Sequence, residues 1–509
     1  MNMNMAIAYG LVGVFFVLIV IVLERTKRKA DTFTDYAVAG RSFGPWFQTM
    51  SFLNTWLPGT VFISFAGLAA SAGFIGYYLI FYSLIAILLM YFMAEKVHAW
   101  GRKHDLRTQA DFVGMRYGSR TVRVVAAVIG VVSMFPWLIL GFQSLGLVFS
   151  YLSFGSISAS AAIFVGIGVL AVRQIWTVRM GMRGIVISDM VQGIAAYGMG
   201  FILALGFIVW LLSQGLGFNQ LPPEFLTLPG IGSELGPLYF FSIVLTGSLG
   251  AWCWPDIFVR LFTAKDAGTT KKSSAQAAPL LLIFAFSLIT MALLAHSLPT
   301  VAAAPDNVWF IVASNGGVVV VALAGIAVLA ATMGNVNAIA AASGTQVTQD
   351  ILPQHSMDDR RRVAHAKIAI TVISGLAVVG AVITANTVTG LVSLAMTSYQ
   401  GIVQLAPALY LGLFWKRGTA VGATLGMLAG FTTAAVLQIL YPTSIGWLWG
   451  LTSGVVGLAV NTAVYMVCSL IRPPGAAERA RVDALFNAVH TITTNDPSTT
   501  EALSGRQSA

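Results

Sequence analysis

The chain of 509 residues is 57% hydrophobic and 9% charged, against roughly 25% charged in a soluble globular domain, so it reads as a polytopic membrane protein. Its net charge of +10 comes from basic residues scattered through short loops, with no aromatic-interleaved patch to track a phosphate backbone, which argues against a nucleic-acid partner. Two cysteines, Cys253 and Cys468, and six dispersed histidines give no disulfide framework, no metal or redox centre and no convergent acid–base set for an enzyme.

A span needs about 20 apolar residues, and this predicts thirteen membrane helices, near 6–23, 45–71, 74–94, 124–150, 159–178, 185–212, 237–262, 277–299, 317–345, 364–385, 388–414, 418–440 and 445–470. No basic residue precedes the first apolar run, and ERTKRK (24–29) follows it. That is the reverse of a cleaved signal peptide, so the first helix is expected to stay, with its N-terminus outside. Basic residues follow every odd-numbered span: Arg25 to Lys29, Lys96 to Arg120, Arg179 and Arg183, Lys265 to Lys272, Arg360 to Arg362, Lys416 and Arg417, and Arg472 to Arg481. The loops 215–236 and 301–317 on the other side carry none. Because Lys and Arg concentrate in cytoplasmic loops, the odd exits and the C-terminus are expected in the cytoplasm, and the chain in the cell membrane.

The second span is interrupted by SFLNTWLPGTVF (51–62), and the seventh by LTGSLGAWCWPD (245–256) with Gly247, Gly250 and Pro255. Proline removes a backbone donor, and an unpaired peptide group in hydrocarbon costs several kcal/mol. Such breaks belong where protein or a polar cavity surrounds them. Two broken spans five apart point to an inverted-repeat secondary transporter with its site at the breaks. The expected organisation is an extra helix and basic loop (1–43), a first repeat of spans 2–6 (44–215), a second of spans 7–11 (216–417), two further helices (418–470), and a cytoplasmic tail (471–509) with the short helix AAERARVDALFNAVH and a disordered end.

Asp189 lies one turn inside the sixth span, where an ionisable group is costly and is a functional candidate. No other acid is expected deep in a span, which argues against a carboxylate proton relay. Arg260 follows Asp256 by four residues, so the two should pair on one helix face. Asp111 should cap a helix and Arg116 should meet a phosphate or an acid. Trp415 with Lys416 and Arg417 reads as an interfacial anchor.

The stretches DYAVAGRSFG (35–44), TQADFVGMRYGSR (108–120), GMRGIVISDMVQG (181–193), APALYLGLFWKRGTAVGATLG (406–426) and WPDIFVRLF (254–262) resemble the sodium:solute symporter family. MFPWLILGFQSLG (134–146) looks most like its monocarboxylate-carrying subgroup. The resemblance implies an all-α, LeuT-type five-plus-five fold with extra helices at both ends, and symport of a small solute, a monocarboxylate, with sodium by alternating access. It implies a sodium site from the carbonyls of Asn54, Leu57 and Ala341 with the positions Gly344 and Thr345. At those last two positions the family has adjacent hydroxyls, and Gly344 lacks one. It makes Asp189 the ion exit. A carboxylate would rest on half-helix N-termini, helped by Thr55, Thr60, Gln143, Thr246 or Ser248, with Gly59 beside the cavity. Sodium is the expected cation and no cofactor is expected. The partners are a small solute and the bilayer, for a monomeric carrier. Coupling to protons or to no ion, another solute such as an amino acid, and a membrane sensor are the alternatives.

Overall fold

The computed structural model describes residues 3–27, 32–352, 358–384 and 391–494; Arg28, Lys29 and the tail expected to be disordered beyond 494 lie outside them. The chain opens with α1 (Met3–Arg25) and a short α2 (Phe33–Val38), then α3 (Pro45–Trp56), α4 (Ser64–Ala72) and α5 (Tyr78–Lys103). A corner helix α6 (Gln109–Tyr117) leads to α7 (Arg120–Leu152), α8 (Ala159–Met180), α9 (Met182–Gly193) and α10 (Gly200–Ser213). The second half holds α11 (Tyr239–Gly250), α12 (Pro255–Thr263), α13 (Ala267–Ala295), the short α14 (Pro299–Ala303) and α15 (Val308–Ser314), α16 (Gly317–Gln346) and α17 (Asp359–Thr384). Last come α18 (Leu391–Ile402), a single turn α19 (Gly412–Phe414), α20 (Ala420–Leu440), α21 (Ser453–Ile471) and α22 (Ala476–Thr494).

Among the described residues, ten helices are long and apolar enough to cross a membrane, or eleven if the bent pair α11–α12 counts as one span. The expected thirteen is therefore not established by length and composition. The shortfall falls on interrupted segments, such as α18 to α19, where 3₁₀ and π turns divide the helix.

Both breaks arise the same way. A residue before proline is pushed out of the helical region: Leu57, before Pro58, has φ −110° and ψ 74°, and Trp254, before Pro255, has φ −71° and ψ 121°. Pro255 then starts α12 at a position where its missing N–H is no loss, and α11 and α12 meet at 51°. The connection from α8 to α9 uses Gly181 at φ +59°, where a Cβ would stand 2.4 Å from the Tyr36 carbonyl oxygen, so only glycine fits. This turn sets the register of α9, which carries Asp189.

α16 is the hub. Residues 324–346 are all buried, and their alanines and glycines let α7, α9 and α3 approach closely. At the end of the bundle that carries the basic loops, Arg123 joins Asp111 at 3.1 Å and Asp350 at 2.6 Å, tying α6 and α7 to the end of α16. Burial pushes the Asp111 carboxyl up, opposed chiefly by Arg123. Arg116 donates to the carbonyls of Gly412 at 2.7 Å and Trp415 at 2.9 Å, closing the end of α19, and forms no salt bridge with an acid among the described residues. α22 packs on the same end, with the Trp100 indole donating to the Leu485 carbonyl at 2.9 Å and Arg481 to the Met115 and Arg116 carbonyls.

Candidate functional site

The two breaks converge on one cavity. Thr55, Trp56 and Pro58 come from the first, and Trp254, Asp256 and Ile257 from the second. α16 adds Asn335 and Ile339, α7 adds Trp137 and α18 adds Tyr399. The cavity measures about 20 Å³, room for about one water, so a larger molecule fits there only if these helices separate. Pro58 has no N–H to offer the Asn54 carbonyl, and the helix end at Trp56 also frees the Thr55 carbonyl, which accepts from Asn335 Nδ2 at 3.2 Å. α16 thus takes up one of the carbonyls that the break frees.

Below this cavity Asp189 is fully buried. It accepts from Ser51 Oγ at 2.7 Å and Asn54 Nδ2 at 3.1 Å, and Arg260 Nη1 lies 3.2 Å away. Arg260 also donates to Ser51 Oγ at 2.7 Å and Thr55 Oγ1 at 2.8 Å. The expected Asp256–Arg260 pair is thereby corrected: Arg260 turns to Asp189, where α3, α9 and α12 meet. Asp256 is buried at the cavity wall, so the expectation of no second deep acid fails as well. Arg173 is wholly buried beside this cluster, donating to Ser188 Oγ at 2.5 Å and Thr177 Oγ1 at 2.8 Å. Tyr197, carried inward on a π turn, reaches the carbonyls of Leu53 at 2.9 Å and Leu57 at 2.7 Å.

The expected sodium set is not brought together. The part of α16 that meets Asn54 is Gly334, where a Cβ would lie 1.8 Å from Asn54 Nδ2 and 3.1 Å from Asp189 Oδ1. Ala341, Gly344 and Thr345 lie seven to eleven residues further on, roughly 10–16 Å along the helix. Gly344 faces α17, where its Cβ would stand 2.5 Å from Ile370 Cγ1 and 2.8 Å from the Ala366 carbonyl oxygen. The Leu57 carbonyl is already occupied by Tyr197. Gly344→Ser is therefore expected to destabilise the α16–α17 contact and lower the unfolding temperature, leaving the sodium concentration for half-maximal uptake unchanged. Tighter sodium dependence in that variant would restore the original placement.

Of the expected solute residues, Thr55 lines the cavity. Gly59 does not face it: a Cβ there would lie 1.9 Å from Thr332 Oγ1 and 2.7 Å from the Val328 carbonyl oxygen, so Gly59 is a close helix contact. The Thr60 hydroxyl is buried and has no hydrogen-bond partner among the described residues. Gln143 donates to Thr384 Oγ1 at 2.9 Å, a contact between α7 and α17. Thr246 and Ser248 donate to the Ser242 and Val244 carbonyls of their own helix. The wall residues missed in the sequence are Trp56, Trp137, Trp254, Asp256, Asn335 and Tyr399. Trp254 carried a usable signal, since it directly precedes the helix-starting Pro255.

A family model described as the sodium:solute symporter family matches residues 36–430. The chain is 25% identical over 489 residues to the uncharacterized symporter YhjB of Bacillus subtilis, covering 90% of this chain and 96% of that protein. It is 24% identical over 468 residues to a monocarboxylic acid transporter of Corynebacterium glutamicum, covering 85% and 83%. In fold it is similar to a Na+-coupled sialic acid symporter solved in a substrate-bound, outward-open state, with a TM-score of 0.72, 17% identity, and coverage of 93% of this chain and 99% of that one.

Proposed function

Because the chain belongs to the sodium:solute symporter family, we propose that it carries a small organic solute together with sodium across the cell membrane, holding the solute in the cavity between the two breaks. The supporting observation is that Thr55 and Pro58 from one break and Trp254 and Asp256 from the other line one small cavity. Two half-helices hinged at prolines can part and meet again on either side of a bound solute. The repeats are residues 44–215 and 216–417, and each contributes its broken span. Sodium leaves past Asp189, whose carboxylate pairs with Arg260. A monocarboxylate is the second reading, favoured by the Corynebacterium relative.

Reconstitution into liposomes tests this. Uptake of the transported solute should rise with an inward sodium gradient and collapse when sodium is equal on both sides. Uptake that follows a proton gradient, or the solute gradient alone, would remove sodium from the mechanism.

The proposed orientation places the N-terminus outside and the basic loops in the cytoplasm. Ser233 is exposed in a loop without Lys or Arg, and Lys272 is exposed near the start of α13; Ser273, its neighbour, is buried against Thr49 and suits no labelling experiment. In a background lacking Cys253 and Cys468, Ser233→Cys should react with an impermeant thiol reagent added to whole cells, and Lys272→Cys only after permeabilisation. The opposite pattern would invert the topology.

A further inference from the structure

A second cavity, of about 500 Å³, lies at the end of the bundle that carries the basic loops. His104 and Arg120 stand exposed at its edge, and Asp111, Arg123, Gln349 and Asp350 line it. It shares two elements with the cavity between the breaks. On α7, Arg123 lines this lower cavity and Trp137 the upper one, with Gly130 midway, seven residues from each. On α16 and the π turn that follows it, Asn335 and Ile339 line the upper cavity and Gln349 and Asp350 the lower, with Gln346 between. Steps of four and seven keep residues on one helix face, and the two faces match in antiparallel register. Arg123 meets Asp350 at 2.6 Å, Gly130 faces Gln346, and Trp137 and Ile339 share the upper cavity.

Between the cavities this seam is shut at Gly130. A Cβ there would stand 2.8 Å from Pro255 Cγ and 3.2 Å from Gln346 Oε1, so the missing side chain lets α7, the start of α12 and α16 close on one another. Gln346 is 1% exposed, and neither its Oε1 nor its Nε2 has a hydrogen-bond partner among the described residues. A buried amide left unpaired is costly, and an apolar side chain would serve a purely packing contact better.

We propose that the solute passes between the upper cavity and the cytoplasm along this seam, with Gln346 as a movable floor and Gly130 as the seat on which it closes. This rests on the cavity between the breaks being the solute site. When α7 and α12 part from α16, the Gln346 amide faces the opened passage and makes there the hydrogen bonds it lacks when shut. From Ile339 to Asp350 the passage is roughly 16 Å long, about half the hydrocarbon core.

The test uses single cysteines in a full-length background lacking Cys253 and Cys468, and a charged, impermeant methanethiosulfonate. The reagent is applied to membrane vesicles of either orientation, in sodium and in potassium. Arg120→Cys marks the lower side. Gln346→Cys should react from that side only, Ile339→Cys should also react from it, and Ala341→Cys, turned about 140° from Gln346 round the helix, should not. Adding Gly130→Ala wedges the floor and should speed the Gln346→Cys reaction roughly 5- to 150-fold, with Arg120→Cys unchanged. A contact made only for packing gives no such acceleration, and its absence would overturn the floor. If Ile339→Cys reacts from the lower side and Gln346→Cys does not, the solute leaves by another route and the upper cavity stands as its site. If Ile339→Cys reacts from neither side, the site reading falls with the passage. Equal rates at Ala341→Cys and Gln346→Cys would mean general loosening of α16 and would overturn the proposal as well.

Discussion

Arg260→Met is expected to destabilise the protein by about 3–5 kcal/mol and to abolish sodium-driven uptake. The guanidinium lies 3.2 Å from the wholly buried Asp189 carboxylate, and methionine leaves that charge without a salt bridge, answered by Ser51 Oγ, Asn54 Nδ2 and the more distant Arg173 guanidinium. An uncompensated buried charge is the main cost of breaking such a pair, and removing both charges together is far cheaper. Combining Asp189→Asn with Arg260→Met should therefore recover most of the unfolding midpoint in detergent. Uptake should stay absent, since no acid then stands on the ion path. Additive losses in the double variant would show that the two groups do not interact. Recovery of sodium-dependent uptake would make Asp189 a structural counter-charge and nothing more.

The second large effect is expected at Gly59. Even Gly59→Ala places a methyl 1.9 Å from Thr332 Oγ1 and 2.7 Å from the Val328 carbonyl oxygen. The first broken span must then move away from α16, which also strains the Asn335 hydrogen bond that caps the Thr55 carbonyl. Overpacking of this kind costs typically about 1–3 kcal/mol, and Gly59→Leu should cost more. Both variants should insert, because the span keeps its apolar length, and both should lose uptake in that order. Adding Thr332→Ala removes the nearer clash but leaves the Val328 backbone oxygen in place, so rescue should be partial. Wild-type uptake and melting in Gly59→Leu would show that the two helices do not touch at this point in any state the carrier needs.

The functional residues divide by how far their information travels along the chain. Breaking at 57–58 and 254–255 follows from X-Pro together with nearby glycines, Gly59 at the first and Gly247 and Gly250 at the second, whereas Pro136 and Pro279, without such glycines beside them, leave α7 and α13 continuous. Asp189 stood out for a similar reason: an acid inside an apolar run is costly wherever the run goes. The pairing of Arg260 needed more. The i, i+4 rule joined it to Asp256, but that rule ranks only neighbours on one helix, and a carboxylate from α9 competes once α3, α9 and α12 converge.

The membrane-spanning all-α character and the two hinge points are legible along the chain, because hydrophobic length and the clustering of proline with glycine are local properties. The register of α16 against the first break was decided by the tertiary structure alone. A helix buried all round has no polar face to fix its rotation or height, and its Ala- and Gly-rich sequence offers many equivalent contacts. Only the fit of Gly334 under Asn54, and of Thr332 and Val328 against Gly59, selects one. The edge-to-face packing of Trp137, Trp254 and Tyr399 is of the same kind. Those residues are 117 and 145 positions apart in the chain, each is an ordinary apolar choice in its own span, and their perpendicular arrangement exists only where three helices pack around one cavity.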